Sequence, residues 1–393
     1  MTSTTPPTSA PVYLDNHATT PLDPRVLDAM LPFFREHFGN ASSSRHAYGW
    51  VAKDAVEDAR AQVARAIGAT AKEVVFTSGA TESNNLAILG AVRALRDKHP
   101  SRTKVVTCLT EHSAVLDACR LLEDEGCQVV MLEPGTAGVV DVELLQPHLD
   151  DTVALVSLMA VNNEVGVIHP IAQLAKATKE VGAVFHTDAT QALGRIPVDV
   201  NAWHVDLLSL TGHKLYGPKG CGALYVRKKP KVQVHPLLVG GGQERGLRSG
   251  TTNVPGVVGL GAACALAVDE LDQDVAHIRH LRELLLPPLL ALGGVHLNGD
   301  DERRVDGNLN LYIEGTDSEE LLLRIHKDVA CSAGSACSSK NAKPSHVLRG
   351  LNLGNDRARA SIRLGIGRMN TEDDIRRAVD VLTAAIHDLR AGT

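Results

Sequence analysis

Between about Ala52 and Val257 the chain alternates two textures: apolar residues at helical spacing, and short, almost uninterrupted apolar runs. Val51 to Ile67 and Ala80 to Ala94 carry the helical spacing. The apolar runs are Glu73 to Thr77, Lys104 to Thr107, Cys127 to Leu132, Val153 to Leu158, Ala183 to His186 and Val205 to Leu210. Runs without polar alternation suit strands buried on both faces, as in a mostly parallel sheet covered by helices. The prediction is an α/β fold of three layers. Near Gly256 the texture changes. Val257 to Leu290 reads as one long helical stretch, followed by strands at Asn308 to Ile313 and Ser361 to Gly365 and helices near Glu319–His326 and Thr371–Leu389. This predicts a large domain over 12–256 and a smaller α+β domain over 257–393, with segment 12–25 packing on the small domain and 1–11 a disordered Thr/Ser/Pro-rich tail.

Composition narrows the function classes. Net charge is -6, from 46 acidic against 40 basic residues, which speaks against a nucleic-acid surface built on phosphate contacts. No apolar run approaches the ~20 uncharged residues that span a bilayer, and the first residues lack the basic and apolar regions of a signal peptide. The 7 cysteines are odd in number and scattered, with no Cys-x-x-Cys spacing, so neither a disulfide framework nor a metal site is expected. A reducing cytoplasm is the expected compartment.

Lys214 is the residue that asks for chemistry. It closes the run Asp206-Leu207-Leu208-Ser209-Leu210-Thr211-Gly212-His213-Lys214, where a strand-like segment meets a Gly-rich turn. Desolvation lowers a lysine's pKa, and the neutral amine can form a Schiff base with an aldehyde. Other segments end the same way. Val74-Val75-Phe76-Thr77-Ser78-Gly79-Ala80-Thr81 reads as strand, Gly turn and helix start, a place for an anion or simply a capped helix. Asp188 ends a buried run and faces the crevice where α/β sheets bind ligands, with Gln191 one turn on. A carboxylate there can hold a pyridine nitrogen protonated, or cap the next helix. His112 can stack on a flat ring and move protons, or serve structure. Asn162 can donate to a cofactor hydroxyl or cap a turn.

Two further features lie in the C-terminal part. Cys331-Ser332-Ala333-Gly334-Ser335-Ala336-Cys337-Ser338-Ser339-Lys340-Asn341 has almost no side chains to pack. It reads as a mobile loop over 331–343 with an accessible Cys337, whose thiolate Lys340 and Lys343 would favour. Cys331, beside Val329-Ala330, reads as packing. Arg363, inside Ser361-Ile362-Arg363-Leu364-Gly365, suits a carboxylate ligand or a core-edge ion pair.

Together these segments resemble the class V, fold-type I pyridoxal phosphate enzymes, and among them the NifS/IscS-like cysteine desulfurases. The resemblance runs from Tyr13-Leu14-Asp15-Asn16-His17-Ala18-Thr19-Thr20 to about Asp373, and includes Asn162-Asn163-Glu164 and Arg248-Ser249-Gly250-Thr251. It implies that Lys214 binds pyridoxal 5′-phosphate covalently, that Asp188 meets the ring nitrogen, and that Gln191 and Asn162 address the ring oxygen. His112 would stack on the ring and move protons. Ala80, Thr81, Thr211 and His213 would hold the phosphate, with Thr251 supplied across a homodimer interface. Arg363, with Asn40 and Asn162, would bind the substrate. The implied reaction converts L-cysteine to L-alanine and leaves a persulfide on Cys337 for a sulfur acceptor, such as an Fe–S scaffold. Selenocysteine lyase or another class V activity, such as an aminotransferase, is the alternative; a loop cysteine has no use in an aminotransferase. The chain ends soon after its last helix, without the longer tail by which housekeeping members dock the scaffold, which leaves the acceptor open.

Overall fold

The computed structural model describes residues 10–333 and 345–392. The apolar runs form a seven-stranded sheet: β1 (Val74–Thr77), β2 (Lys104–Cys108), β3 (Gln128–Leu132), β4 (Val153–Ser157), β5 (Val184–Asp188), β6 (Leu207–Thr211) and β7 (Gly222–Val226). Their order is β1-β7-β6-β5-β4-β2-β3. Only β7 runs antiparallel to its neighbours, β1 and β6. Every residue of β1, β4, β6 and β7 is buried, which is why these strands lack polar alternation. Helices cover both faces, among them α1 (Ala47–Ala66), α2 (Ala80–Arg96), α3 (Ser113–Asp124), α4 (Ile171–Glu180) and α5 (Val254–Asp269). The α/β three-layer class expected from the sequence is the observed one.

The sequence reading missed β7. Gly222-Ala223-Leu224-Tyr225-Val226 follows the turn-like Tyr216-Gly217-Pro218-Lys219-Gly220 and opens on a glycine and an alanine, a weak strand signal. The stretch from Val257 to Leu290 is also two helices. α5 gives way at Glu270 to α6 (Leu271–Leu290), and the two are bent by 71°. The helices also change core partners at that break. Val257, Leu260, Ala263, Cys264 and Ala267 of α5 join the cluster around the seven-stranded sheet. Leu281, Leu285 and Leu289 of α6 join a second cluster with Leu309, Leu311, Ile362 and Leu364. The packing partner therefore changes at Glu270, beyond Gly256, because composition shifts where α5 starts, while the bend comes a helix later.

The second cluster is built on a four-stranded antiparallel sheet of β8 (Val295–Leu297), β9 (Asn308–Ile313), β10 (Ser332–Ala333) and β11 (Ser361–Gly365), in the order β10-β11-β9-β8. The helix α7 (Glu372–Ala391) lies across it. Val12 and Leu14 belong to the same cluster, and Val12–Tyr13 pairs parallel with Val329–Ala330. The N-terminal segment then passes to the first cluster at Val26. It thus crosses between the two cores, and that crossing brings residues 15–20 to the candidate site. No single helix among the described residues is long and apolar enough to cross a membrane.

Candidate active site

The C-terminal ends of β1, β4, β5 and β6, and the turn after β2, open onto one cavity of about 660 Å³. His17, Thr81, His112, Asn163, Asp188, Lys214 and Arg363 line it. Open α/β sheets bind ligands at this end, where loops leave the strands and helix N-termini point inward.

One end of the cavity suits an anion. β1 stops at Thr77, and Gly79, at φ +154 where only glycine is at ease, hands the chain into α2. A Cβ on Gly222, at the start of β7, would stand 2.6 Å from Gly79 Cα, so β7 can seat the turn only through a glycine. The first N–H groups of α2, those of Ala80 and Thr81 included, have no acceptor within the helix and sit at its positive end. Glu82 is the acid in that turn, and it is tied down by the Ser78 N–H at 2.8 Å and by Arg248 Nε at 2.8 Å. Thr211 and His213 complete this end. The Thr211 hydroxyl donates to the Cys221 carbonyl at 3.1 Å, and His213 Nδ1 is 3.1 Å from Thr19 Oγ1. Burial, with Lys214 and Lys219 nearby, pushes the His213 imidazole down to about 4, so it serves as a neutral group.

Lys214 follows β6 on a single helical turn, Gly212–Lys214. Its Nζ donates to the carbonyls of His17 at 2.6 Å and Ala18 at 2.5 Å. Among the described residues it has no carboxylate partner. Burial, reinforced by the cations Arg363 and Arg195, pushes the amine down to about 7. A sizeable fraction is thus neutral and nucleophilic near neutral pH.

Asp188 ends β5 facing the same cavity. Its Oδ2 accepts from Asn84 Nδ2 at 2.7 Å and its Oδ1 from the Thr190 N–H at 2.9 Å. Gln191 lines the cavity too, but both ends of its amide are engaged by His17: Oε1 lies 3.0 Å from His17 Nδ1, and Nε2 donates to the His17 carbonyl at 2.9 Å. His112 caps α3, its Nδ1 accepting from the Ala114 N–H at 3.1 Å. A neutral His112 therefore carries its proton on Nε2.

Several expected site residues sit elsewhere. Asn162 is fully buried and points away from the cavity lining: its Nδ2 donates to the Thr110 carbonyl, and its Oδ1 accepts from the N–H groups of Glu164 and Val165. It ties the turn, and Asn163 lines the cavity instead. Asn163 Oδ1 is buried without a partner among the described residues. Asn40 is exposed, its Oδ1 accepting from the Ser42 N–H, and it does not line the cavity. Thr251 is exposed and likewise off the cavity of its own chain. Cys331 packs on the second cluster, where burial pushes its thiol up to about 12. Cys337 lies outside the described residues.

Arg363 reaches the cavity from β11. Its Nη2 pairs with Asp15 Oδ1 at 2.9 Å, and its Nη1 donates to the Asn163 carbonyl at 3.0 Å. Asp15 and His17 went unread as individual site residues. Their one signal was a polar stretch, Asp15-Asn16-His17, directly after the apolar Val12-Tyr13-Leu14.

The donor set fits pyridoxal phosphate. A helix N-terminus could take its phosphate, an amine without a carboxylate partner its aldehyde, and a hydrogen-bonded carboxylate its ring nitrogen. The unpartnered Asn163 Oδ1 and Thr190 Oγ1 are left for the ligand. The comparisons agree. Residues 12–378 match the model of the family described as aminotransferase class V. The chain is 50% identical, over 97% of its length, to a probable mitochondrial cysteine desulfurase of Dictyostelium discoideum, covering 84% of that protein. It is also 50% identical over 97% of its length to the cysteine desulfurase IscS of Rickettsia bellii, covering 92% of it. Among solved structures it is similar to a NifS-like protein, with TM-score 0.88 and 35% identity over 97% of this chain and 99% of that one. A structure described as SspA in complex with cysteine is similar too, with TM-score 0.80 and 33% identity over 91% of this chain and 99% of the other.

Proposed function

As the chain belongs to the class V aminotransferase family, alongside cysteine desulfurases, we propose that it is a pyridoxal phosphate-dependent desulfurase acting on L-cysteine. The products are L-alanine and a persulfide on Cys337. The observation that carries this reading is the pairing, across one cavity, of an amine pushed down to about 7 with a carboxylate held by two hydrogen bonds.

When bound, the cofactor supplies an electron sink for the bonds around the substrate's α-carbon. The chain's residues do the rest. Lys214 would hold the cofactor through its aldehyde and would move protons at the substrate's α-carbon. The first N–H groups of α2, with Thr211 and His213, hold the phosphate. Asp188 would keep the ring nitrogen protonated, and Asn163 would meet the ring oxygen that the resemblance assigned to Gln191 and Asn162. His112, with its proton on Nε2, exchanges protons with the substrate. Arg363 binds the substrate carboxylate, sharing its guanidinium with Asp15. The Cys337 thiolate attacks the substrate sulfur: the S–S bond forms as the C–S bond breaks, its electron pair passing to carbon, which leaves protonated as alanine.

The persulfide sulfur then passes to an acceptor thiol, on an Fe–S scaffold or another carrier, in the cytoplasm. The chain works as a homodimer in which Thr251 serves the neighbouring site; its exposed position away from its own cavity supports this. The test is incubation of the purified, cofactor-loaded protein with L-cysteine and a thiol reductant. Equimolar alanine and sulfide are expected, and absence of alanine would refute the activity.

A further inference from the structure

Asn84 lies on α2, one turn beyond Ala80 and Thr81. It is completely buried, and its Nδ2 donates at 2.7 Å to Asp188 Oδ2. Its Oδ1 is also buried and has no partner among the described residues. Buried polar atoms are nearly always paired, so an orphaned acceptor calls for an explanation. An apolar side chain of the same volume would remove both the orphan and its cost. What such a side chain could not supply is the donor to Asp188. The amide orientation follows from this: turned the other way, its oxygen would face a carboxylate oxygen.

The second consequence is geometric. α2 offers its first N–H groups to the phosphate end of the cavity, and through Asn84 it also grips the carboxylate at the ring-nitrogen end. One rigid helix therefore gauges both ends. The other Asp188 oxygen is held by the Thr190 N–H at 2.9 Å, from the chain's own next turn. Asn84 is the link that fixes Asp188 relative to the phosphate seat rather than to β5 alone.

We propose that Asn84 is a positioning residue: its amide holds the Asp188 carboxylate, so that α2 registers the phosphate and the ring nitrogen of the cofactor together. The inference rests on the cofactor reading above, and it gives Asn84 a role separate from packing.

The test compares the parent, Asn84→Leu, Asp188→Asn and the double variant. Loss of the visible cofactor absorbance is followed after dilution into an aldehyde trap, together with kcat and KM for L-cysteine and the melting temperature of the cofactor-free proteins. Asn84→Leu removes the orphaned acceptor but also leaves Asp188 Oδ2 without its donor, two opposing effects, so its cofactor-free form is expected to melt within a few degrees of the parent. It loses cofactor about tenfold faster and has kcat about tenfold lower, as fits a hydrogen bond to a charged group, with KM within about twofold. In the Asp188→Asn background, Asn84→Leu adds no further loss, because the two residues act as one unit. Asn84→Asp keeps the size and removes the donor. It also sets a second carboxylate against Asp188, so it is expected to lose cofactor at least as fast as Asn84→Leu. Cofactor retention and kcat within about twofold of the parent in both Asn84 variants, or losses that add to those of Asp188→Asn, would overturn the inference alone. A parent that takes up no cofactor would overturn the functional reading and this inference with it.

Discussion

The Nζ of Lys214 donates to the main-chain carbonyl of His17 at 2.6 Å, so the N-terminal segment that crosses between the two cores is also what seats the reactive amine. Carbonyl acceptors hold the amine in place without the countercharge that a carboxylate would bring. Burial therefore dominates, and the amine is pushed down to about 7.

That value makes a kinetic prediction. Only the neutral amine attacks an aldehyde, so capture of pyridoxal phosphate by the cofactor-free protein should accelerate as pH rises through about 7 and level off above it. An ordinary lysine, titrating at 10.5, would keep accelerating well beyond pH 8. Stopped-flow absorbance across this range checks it, and a rate still climbing tenfold per pH unit above pH ~8 would contradict the assignment. Lys214→Ala should give a protein without the visible band.

Arg363 is held ready for a carboxylate by Asp15 and the Asn163 carbonyl. Arg363→Ala should raise KM for L-cysteine by about 10- to 100-fold, the worth of charge-assisted hydrogen bonds, with cofactor absorbance unchanged. Steady-state kinetics on the loaded variant decides this. An unchanged KM would leave Arg363 as a partner of Asp15 only.

Glu164 offers a pH-linked test of stability. Its carboxyl is buried and pushed up to about 7 by that burial, with the Ser345 hydroxyl donor and Arg363 acting in the opposite direction. The unfolded chain titrates near 4.5, so between 4.5 and 7 the folded state holds more protons. This group's contribution to stability therefore falls as pH rises through that window, by up to about 3 kcal/mol, and is constant above it. Glu164→Gln should flatten the stability profile between pH ~5 and pH ~8, measured by denaturant unfolding. Parallel profiles for the two proteins would refute the shift.

The neighbouring asparagines separate structure from chemistry. Asn162→Ala leaves two buried N–H groups and the Thr110 carbonyl without partners and should cost on the order of 3 kcal/mol of stability. Asn163→Ala should melt near the parent while its visible absorbance maximum and kcat change. Thermal melts and spectra of both variants test the division, and the reverse pattern would restore Asn162 to the cofactor.

The contrast between those two residues marks where the sequence stopped being readable. Buried parallel strands announce themselves as apolar runs, and polar residues at their C-terminal ends announce the crevice. The place of Lys214, Asp188 and His112 on the cavity was therefore legible, each within a few residues of such a run's end. Inside the turn Asn162-Asn163-Glu164 no periodicity says which amide faces the cavity, because that depends on which one the backbone N–H groups of Glu164 and Val165 engage. The strand Gly222–Val226 was hidden because its opening glycine is there for contact with Gly79, a reason that exists only in three dimensions. Asn84 and Asp15 were invisible for a similar cause: each acts on a residue 104 or 348 positions away.

The central claim is that Cys337 takes sulfur from L-cysteine at a site organised by Lys214. The most direct measurement is the intact and peptide mass of the loaded protein after anaerobic incubation with L-cysteine, beside Cys337→Ala. The account predicts one added sulfur on the Cys337 peptide, with one alanine released per site, and neither sulfur addition nor sulfide release in Cys337→Ala although its visible absorbance is kept. Sulfur found on another cysteine, or full turnover in Cys337→Ala, would contradict it.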